Sequence, residues 1–253
     1  MNIPKLRKQL TIKSCHGISW KDDYAWVHQD NILEVLKDGN KLLPEVRKYL
    51  DDENSFTEKN LSDTKSLQKK LFREIKGRIK LDDESLPYRD HSYYYWTKTT
   101  SKGNYSIKLR KKIDSNKIEE IWNGDKEKEK LKVDYFGVGD LEVSHNDKFL
   151  GYSLDIKGSE YYKIFIRDIA SNKIVTKEIP DTSGSILFSL DDKYIFYSKL
   201  DENHRARKIY RHKIGNFNDP DELIFEEKSE AFTVGIGLSS DEKYYFISTS
   251  DHN

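Results

Sequence analysis

Ser144-His-Asn-Asp-Lys148-Phe149 is echoed downstream by Ser189-Leu-Asp-Asp-Lys193-Tyr194 and again by Ser239-Ser-Asp-Glu-Lys243-Tyr244. Each copy leads into an apolar and aromatic run that closes on a serine, at Ser153, Ser198 and Ser248. The opening serines stand 45 and then 50 residues apart. That period, with several short strands per unit and a polar turn before each copy, is the pattern of β-propeller blades. A propeller needs at least about four blades to close, and Asn253 follows the third copy by only a few residues. The repeat therefore predicts a mainly β fold built as an incomplete β-propeller, with about three blades and the start of a fourth.

Outward from the repeat, short β-rich runs fill the chain from Tyr88 onward. Tyr93–Thr97, Tyr105–Arg110 and Lys117–Trp122 fit a first blade; Phe149–Leu154, Tyr161–Asp168 and Lys173–Ile179 fit a second. Tyr194–Ser198, Ile209–Ile214 and Glu222–Phe225 fit a third. Apolar residues dominate Lys163-Ile-Phe-Ile-Arg-Asp168, as expected of a strand covered on both faces. The first 80 residues read as helical. Pro44 can open one helix, and Ser62 or Asp63 can cap a second in which Leu67, Leu71, Ile75 and Ile79 share a face. Gly77 weakens that helix near its end. The polar, proline-bearing segment Lys80–Pro87 marks the boundary, so residues 1–84 are expected to form an amino-terminal helical segment and residues 85–253 a partial propeller.

Composition excludes several classes of function. Lys plus Arg and Asp plus Glu number 44 each, so no net field draws nucleic acid or an acidic membrane. Mean hydropathy is −0.84, yet the 16 Tyr and 11 Phe gather in strand-like runs, which argues against disorder. Cys15 is the lone cysteine, so neither an intrachain disulfide nor a thiolate metal cluster can form. Without an apolar run of membrane or signal length, a soluble, cytoplasmic protein is the expectation.

Catalytic patterns are missing. No Gly-x-Ser-x-Gly elbow occurs; Gly235-Ile-Gly237-Leu-Ser239 sets its serine at the wrong position, on the blade repeat. There is no zinc helix, phosphate-cradling glycine loop or calcium-loop spacing. His204 and His212 lack metal-ligand spacing and read as structural or substrate-facing. Asp147 and Asp192 recur with the blade period and suit turns in which a carboxylate accepts from the backbone two residues on. Tyr93 to Trp96 suit packing between blades, and Asp125–Lys130 a solvated loop or helical turn. No catalytic, cofactor-binding or metal-binding residue is expected.

Further runs carry a resemblance. Asp22-Asp-Tyr-Ala-Trp26 with Asp30-Asn31 resembles the early Asp-Pro-Tyr-x-Trp signature of the prolyl oligopeptidase family of serine peptidases, with Asp23 in place of the usual proline. Tyr49-Leu-Asp-Asp-Glu-Asn54 and Glu74-Ile-Lys-Gly-Arg-Ile79 are similar to two later family motifs. Lys157–Glu160 and Ile179–Gly184 look like its blade turns. Leu200-Asp-Glu-Asn-His204, Ile209-Tyr-Arg-His212 with Gly215, and Ile224–Lys228 are similar to the oligopeptidase B (protease II) branch.

The resemblance implies a seven-bladed propeller over a carboxy-terminal α/β-hydrolase domain, with the helical segment packed on that domain. It implies short peptides as substrates, cleavage after Lys or Arg, and a Ser-Asp-His triad beyond residue 253. On this reading the chain gates access, is inactive alone, and has short peptides and a carboxy-terminal hydrolase domain, or a separately encoded half, as partners. A freestanding propeller-like interaction module is the alternative. Its weakness is the uncapped terminal strand Tyr244–Ser248, because open sheet edges invite aggregation. An unrelated binding protein with convergent blades fits the amino-terminal motifs less well.

Overall fold

The computed structural model describes residues 3–251, which divide into two compact units with the boundary between Lys80 and Leu81. The first unit opens on a β-hairpin, Thr11–Cys15 against Ile18–Asp22, in register from Thr11↔Asp22 to Cys15↔Ile18. His16 and Gly17 alone connect the strands, at φ of 50° and 77°. Two successive residues at positive φ give the turn whose twist suits a two-residue hairpin, and glycine takes the second place without steric cost. The wholly helical reading of this region is thereby corrected.

Three α-helices follow: α1 (Ile32–Lys37), α2 (Pro44–Asn60) and α3 (Lys65–Gly77). Pro44 does open α2, where its missing N–H costs nothing. The expected cap of α3 at Ser62 or Asp63 is wrong, because these residues form a 3-10 turn ahead of it. Thr64 stands at the cap position, but its hydroxyl donates back to Leu61 O at 2.7 Å and caps nothing. Trp26 donates its indole N–H to Arg7 O at 3.0 Å, while the Arg7 guanidinium lies over the same ring and bonds Glu45. Among the described residues of this unit Val46 is the one buried hydrophobic side chain, whereas Leu67, Leu71, Phe72 and Ile75 of α3 are all exposed.

The second unit is a run of antiparallel blades. The first pairs Tyr88–Asp90, Tyr93–Thr99, Ile107–Lys112 and Ile118–Asn123 in order. The second is Gly137–Val143, Phe149–Asp155 and Tyr162–Asp168, with Lys173–Ile174 beside the last. The third is Leu187–Phe188, Tyr194–Leu200, Ala206–Lys213 and Glu222–Glu226. Thr233–Leu238 and Tyr245–Ser250 begin a fourth. Between the first two blades lies α4 (Gly124–Leu131). Glu127 of α4 pairs with buried Arg167 at 2.5 Å, so the charged run there is not simply solvated.

Lys173–Ile179 does not form one strand as expected. It breaks after Ile174, and Ile179–Thr182 pairs with both Tyr162–Asp168 and Lys199, joining the second and third blades into one sheet. The cause is a competing partner. Val175 keeps its N–H on Ile166 O at 2.9 Å, but its carbonyl accepts from Gly215 N at 3.0 Å, and Thr176 Oγ1 reaches His212 and Asn216 O, so the chain turns from its own blade to the next after Val175.

Apolar cores fill the spaces between blades. Tyr95, Trp122, Phe136, Leu150, Tyr152 and Leu154 join the first to the second. Ile164, Ile166, Ile186, Phe188, Ile195 and Tyr197 join the second to the third. Tyr95 thus packs between blades as its sequence context suggested. Gly139 is needed where it stands, because a Cβ would lie 2.5 Å from Ser153 Oγ and 2.8 Å from the Tyr162 ring.

Candidate functional site

The serine that opens each repeat turn is its hub. Ser144 Oγ accepts from Phe149 N at 2.9 Å, Ser189 Oγ from Tyr194 N at 3.0 Å, and Ser239 Oγ from Tyr244 N at 3.0 Å. Each hydroxyl donates to the side chain two residues on, Asn146, Asp191 or Asp241, whose oxygen also accepts from the backbone of Lys148, Lys193 or Lys243. The next residue, Asp147, Asp192 or Glu242, is left-handed with φ of 54–61°. Such a conformation suits short polar residues. The three copies therefore occupy equivalent places.

This corrects the turn role assigned to Asp147 and Asp192. The residue before each one accepts the local backbone bonds, and these two carboxylates reach the preceding blade. Asp147 accepts from Tyr95 OH at 2.8 Å and from Ser92 N at 3.3 Å; Asp192 accepts from His145 N at 2.8 Å. Burial, and then Asp147, push the Tyr95 phenol well above its ordinary pKa. A buried hydroxyl on a carboxylate is worth about 1.5–3 kcal/mol. Replacing Tyr95 by Phe is therefore expected to lower stability by about that amount in urea denaturation. An unchanged midpoint would show that the link between blades carries no energy.

Two of the family-like runs, Lys157–Glu160 and Leu200–His204, are capped turns, whereas Ile179–Gly184, expected as a blade turn, begins with the strand Ile179–Thr182. Asp155 is buried and accepts from Lys157 N, Gly158 N and Glu160 N at 2.8–3.0 Å. Asp201 accepts from Asn203 N, Arg205 N and Arg207 Nε. His204 packs edge-on against Tyr161 at 4.5 Å, with Nε2 3.3 Å from Ser159 O. It borders an open cleft with Ser183, Ser185 and Ser198, yet among the described residues no serine hydroxyl is hydrogen-bonded to a histidine.

One set of side chains does have the connectivity of a hydrolytic triad. Thr176 Oγ1 meets His212 Nε2, and His212 Nδ1 lies 2.8 Å from Asp221 Oδ1. Asp221 also accepts from Tyr197 OH at 2.6 Å and pairs with Lys177 at 3.0 Å. Burial alone would raise the Asp221 carboxyl, but the bonds from Tyr197, His212 and Lys177 outweigh it and hold it below the ordinary range. His212 is 0% and Thr176 2% exposed, so no substrate carbonyl can approach the hydroxyl. A nucleophile must come within about 3–3.5 Å of the atom it attacks. The set is a buried clasp between blades. Sequence reading missed it because its members stand at positions 176, 197, 212 and 221, with no local spacing to betray them.

Antiparallel blades tied turn to turn, in sheets that do not close into a ring, define a β-propeller domain. The chain belongs to the prolyl oligopeptidase family: residues 4–253 match the family described as prolyl oligopeptidase, N-terminal beta-propeller domain. Dipeptidyl aminopeptidase BI of Pseudoxanthomonas mexicana is 29% identical over 96% of this chain and 34% of its own length. Protease 2 of Moraxella lacunata is 26% identical over 99% of this chain and 36% of its own. Oligopeptidase B from Leishmania major shares the fold with a TM-score of 0.85, at 22% identity, over 98% of this chain and 36% of that one. The chain thus spans about a third of the length of the curated relatives it matches. Among the described residues no helix is long and apolar enough to cross a membrane.

Proposed function

We propose that this chain is the access-restricting, non-catalytic part of an oligopeptidase B-like serine peptidase that cleaves short peptides after Lys or Arg in the cytoplasm. The observation that carries the proposal is the family match from residue 4 to residue 253. The fold likeness to oligopeptidase B and the runs Leu200–His204 and Ile209–His212 favour the basic-residue branch. In this reading residues 1–84 pack on a hydrolase domain supplied from outside the sequence, residues 85–253 form part of the ring that screens its nucleophile, and no metal or cofactor takes part in peptide cleavage. The buried Thr176–His212–Asp221 set supports a non-catalytic role, because an activated hydroxyl must be reachable.

The purified chain alone is expected to hydrolyse no short Arg- or Lys-containing amide. Turnover that survives removal of contaminating peptidases and is abolished by a serine-directed inhibitor would overturn the non-catalytic reading.

A further inference from the structure

The fold gathers three metal-competent side chains that the sequence scatters. His91 stands in the left-handed turn of the first blade at φ 44°, and Glu242 in the matching turn of the fourth at φ 56°. His145 comes from the repeat turn of the second. One ligand atom of each lies within 4.8 Å of the others, and the two imidazoles meet edge to face at 5.3 Å. We propose that His91, His145 and Glu242 bind a divalent cation of the zinc class, which clasps the first, second and fourth blades at their turn ends.

The surroundings of the two rings suit ligation through Nε2. His145 Nδ1 is the one buried side-chain nitrogen or oxygen among the described residues without a hydrogen-bond partner. Asp192 Oδ1 stands 3.6 Å from it, just beyond bonding reach. His91 Nδ1 is already on Asp90 Oδ1 at 3.0 Å. A metal-bound imidazole characteristically gives its other N–H to a carboxylate. With the ion on Nε2, each ring has that carboxylate in place, and a small shift of His145 satisfies its orphaned nitrogen.

Two imidazoles and one carboxylate form a zinc ligand set, with a fourth position for water. Calcium and magnesium prefer all-oxygen sets. Tetrahedral zinc holds its ligand atoms about 3.3 Å apart, so the cluster, with ligand atoms within 4.8 Å of one another, must contract by up to about 1.5 Å. His91 and Glu242 are exposed, and their side-chain rotations can supply that movement.

The test is titration of the full chain with Zn²⁺ by calorimetry and with Co²⁺ by visible absorption, whose d–d bands report tetrahedral coordination. One ion per chain and a tetrahedral Co²⁺ spectrum are expected. His91→Asn keeps a residue tolerant of positive φ, and Glu242→Gln keeps the size of the side chain. Each should weaken binding at least about tenfold, while His204→Asn, outside the cluster, should leave it unchanged. Absence of saturable binding, retention of full affinity in both variants, or an equal loss in His204→Asn would each overturn the proposal. In those cases the two histidines simply pack together.

Discussion

Expressed without a hydrolase partner, the 253-residue chain is expected to be weakly stable, to self-associate and to melt at a lower temperature than its complex with one. Its fourth blade presents Phe246, at 60% exposure, on a two-stranded sheet, and Tyr244, at 63%, just before the second strand. In the first unit, Leu67 and Ile75 of α3 are 54% and 61% exposed, and Ile12 and Ile18 of the hairpin also face solvent. Uncovered apolar area costs about 25 cal/mol per Å², so a face of about 400 Å² amounts to about 10 kcal/mol. That is the size of a whole domain's net stability. Light scattering and thermal melting, with and without a co-expressed carboxy-terminal hydrolase domain, would measure the effect. Dispersal into a monodisperse complex with a raised melting temperature is expected only with the partner.

Asp221→Ala is expected to be the most damaging single substitution in the blades. It removes the shared carboxylate from His212, Tyr197 and Lys177 at once, leaving His212 with Thr176 and Lys177 with Asp219 O. Removing one member of a buried charged network costs about 3–5 kcal/mol, a large part of a net stability of about 5–15 kcal/mol. Urea midpoints would show it, and Asp221→Asn should lose less because one acceptor remains. The acid side of the stability curve follows from the same group. Its folded pKa lies below the unfolded value of about 3.9. The unfolded chain therefore takes up the proton first as pH falls. The stabilisation is fully present above that value and is lost as pH drops through the folded pKa. In Asp221→Asn this acid-dependent loss should shrink; an unaltered curve would mean that other carboxylates govern acid unfolding.

What the sequence revealed was the chemistry that stays local. The repeat serines could be read because each bonds residues only two to five positions away, so the whole device lies inside one short run. The α3 face at Leu67, Leu71 and Ile75 could be read because four-residue spacing is intrinsic to a helix, although Ile79, expected on the same face, lies past the helix end at Gly77. The Thr11–Asp22 hairpin was missed because its turn, His16-Gly17, is not one of the commoner hairpin pairs. The break after Ile174 was invisible for a different reason. It is imposed by Asn216 and His212 on the following blade, some forty residues on. Asp147 and Asp192 were assigned to the right turns but to the wrong partners, because their bonds run back 47 to 55 residues. The clasp around Asp221 and the His91–His145–Glu242 cluster are likewise products of the fold.

The reading of this chain as the screening part of a peptidase is tested most directly by one comparison of rates. The chain, assembled with a carboxy-terminal hydrolase domain, is given a short peptide containing one Arg–X bond and a folded protein carrying the same bond on its surface. Rapid cleavage of the peptide after Arg, slow or no cleavage of the folded protein, and no cleavage of either by the chain alone are expected. Equal cleavage of both by the assembly would contradict the screening role. A stable monomeric chain that neither binds nor alters a hydrolase domain would identify a freestanding interaction module instead.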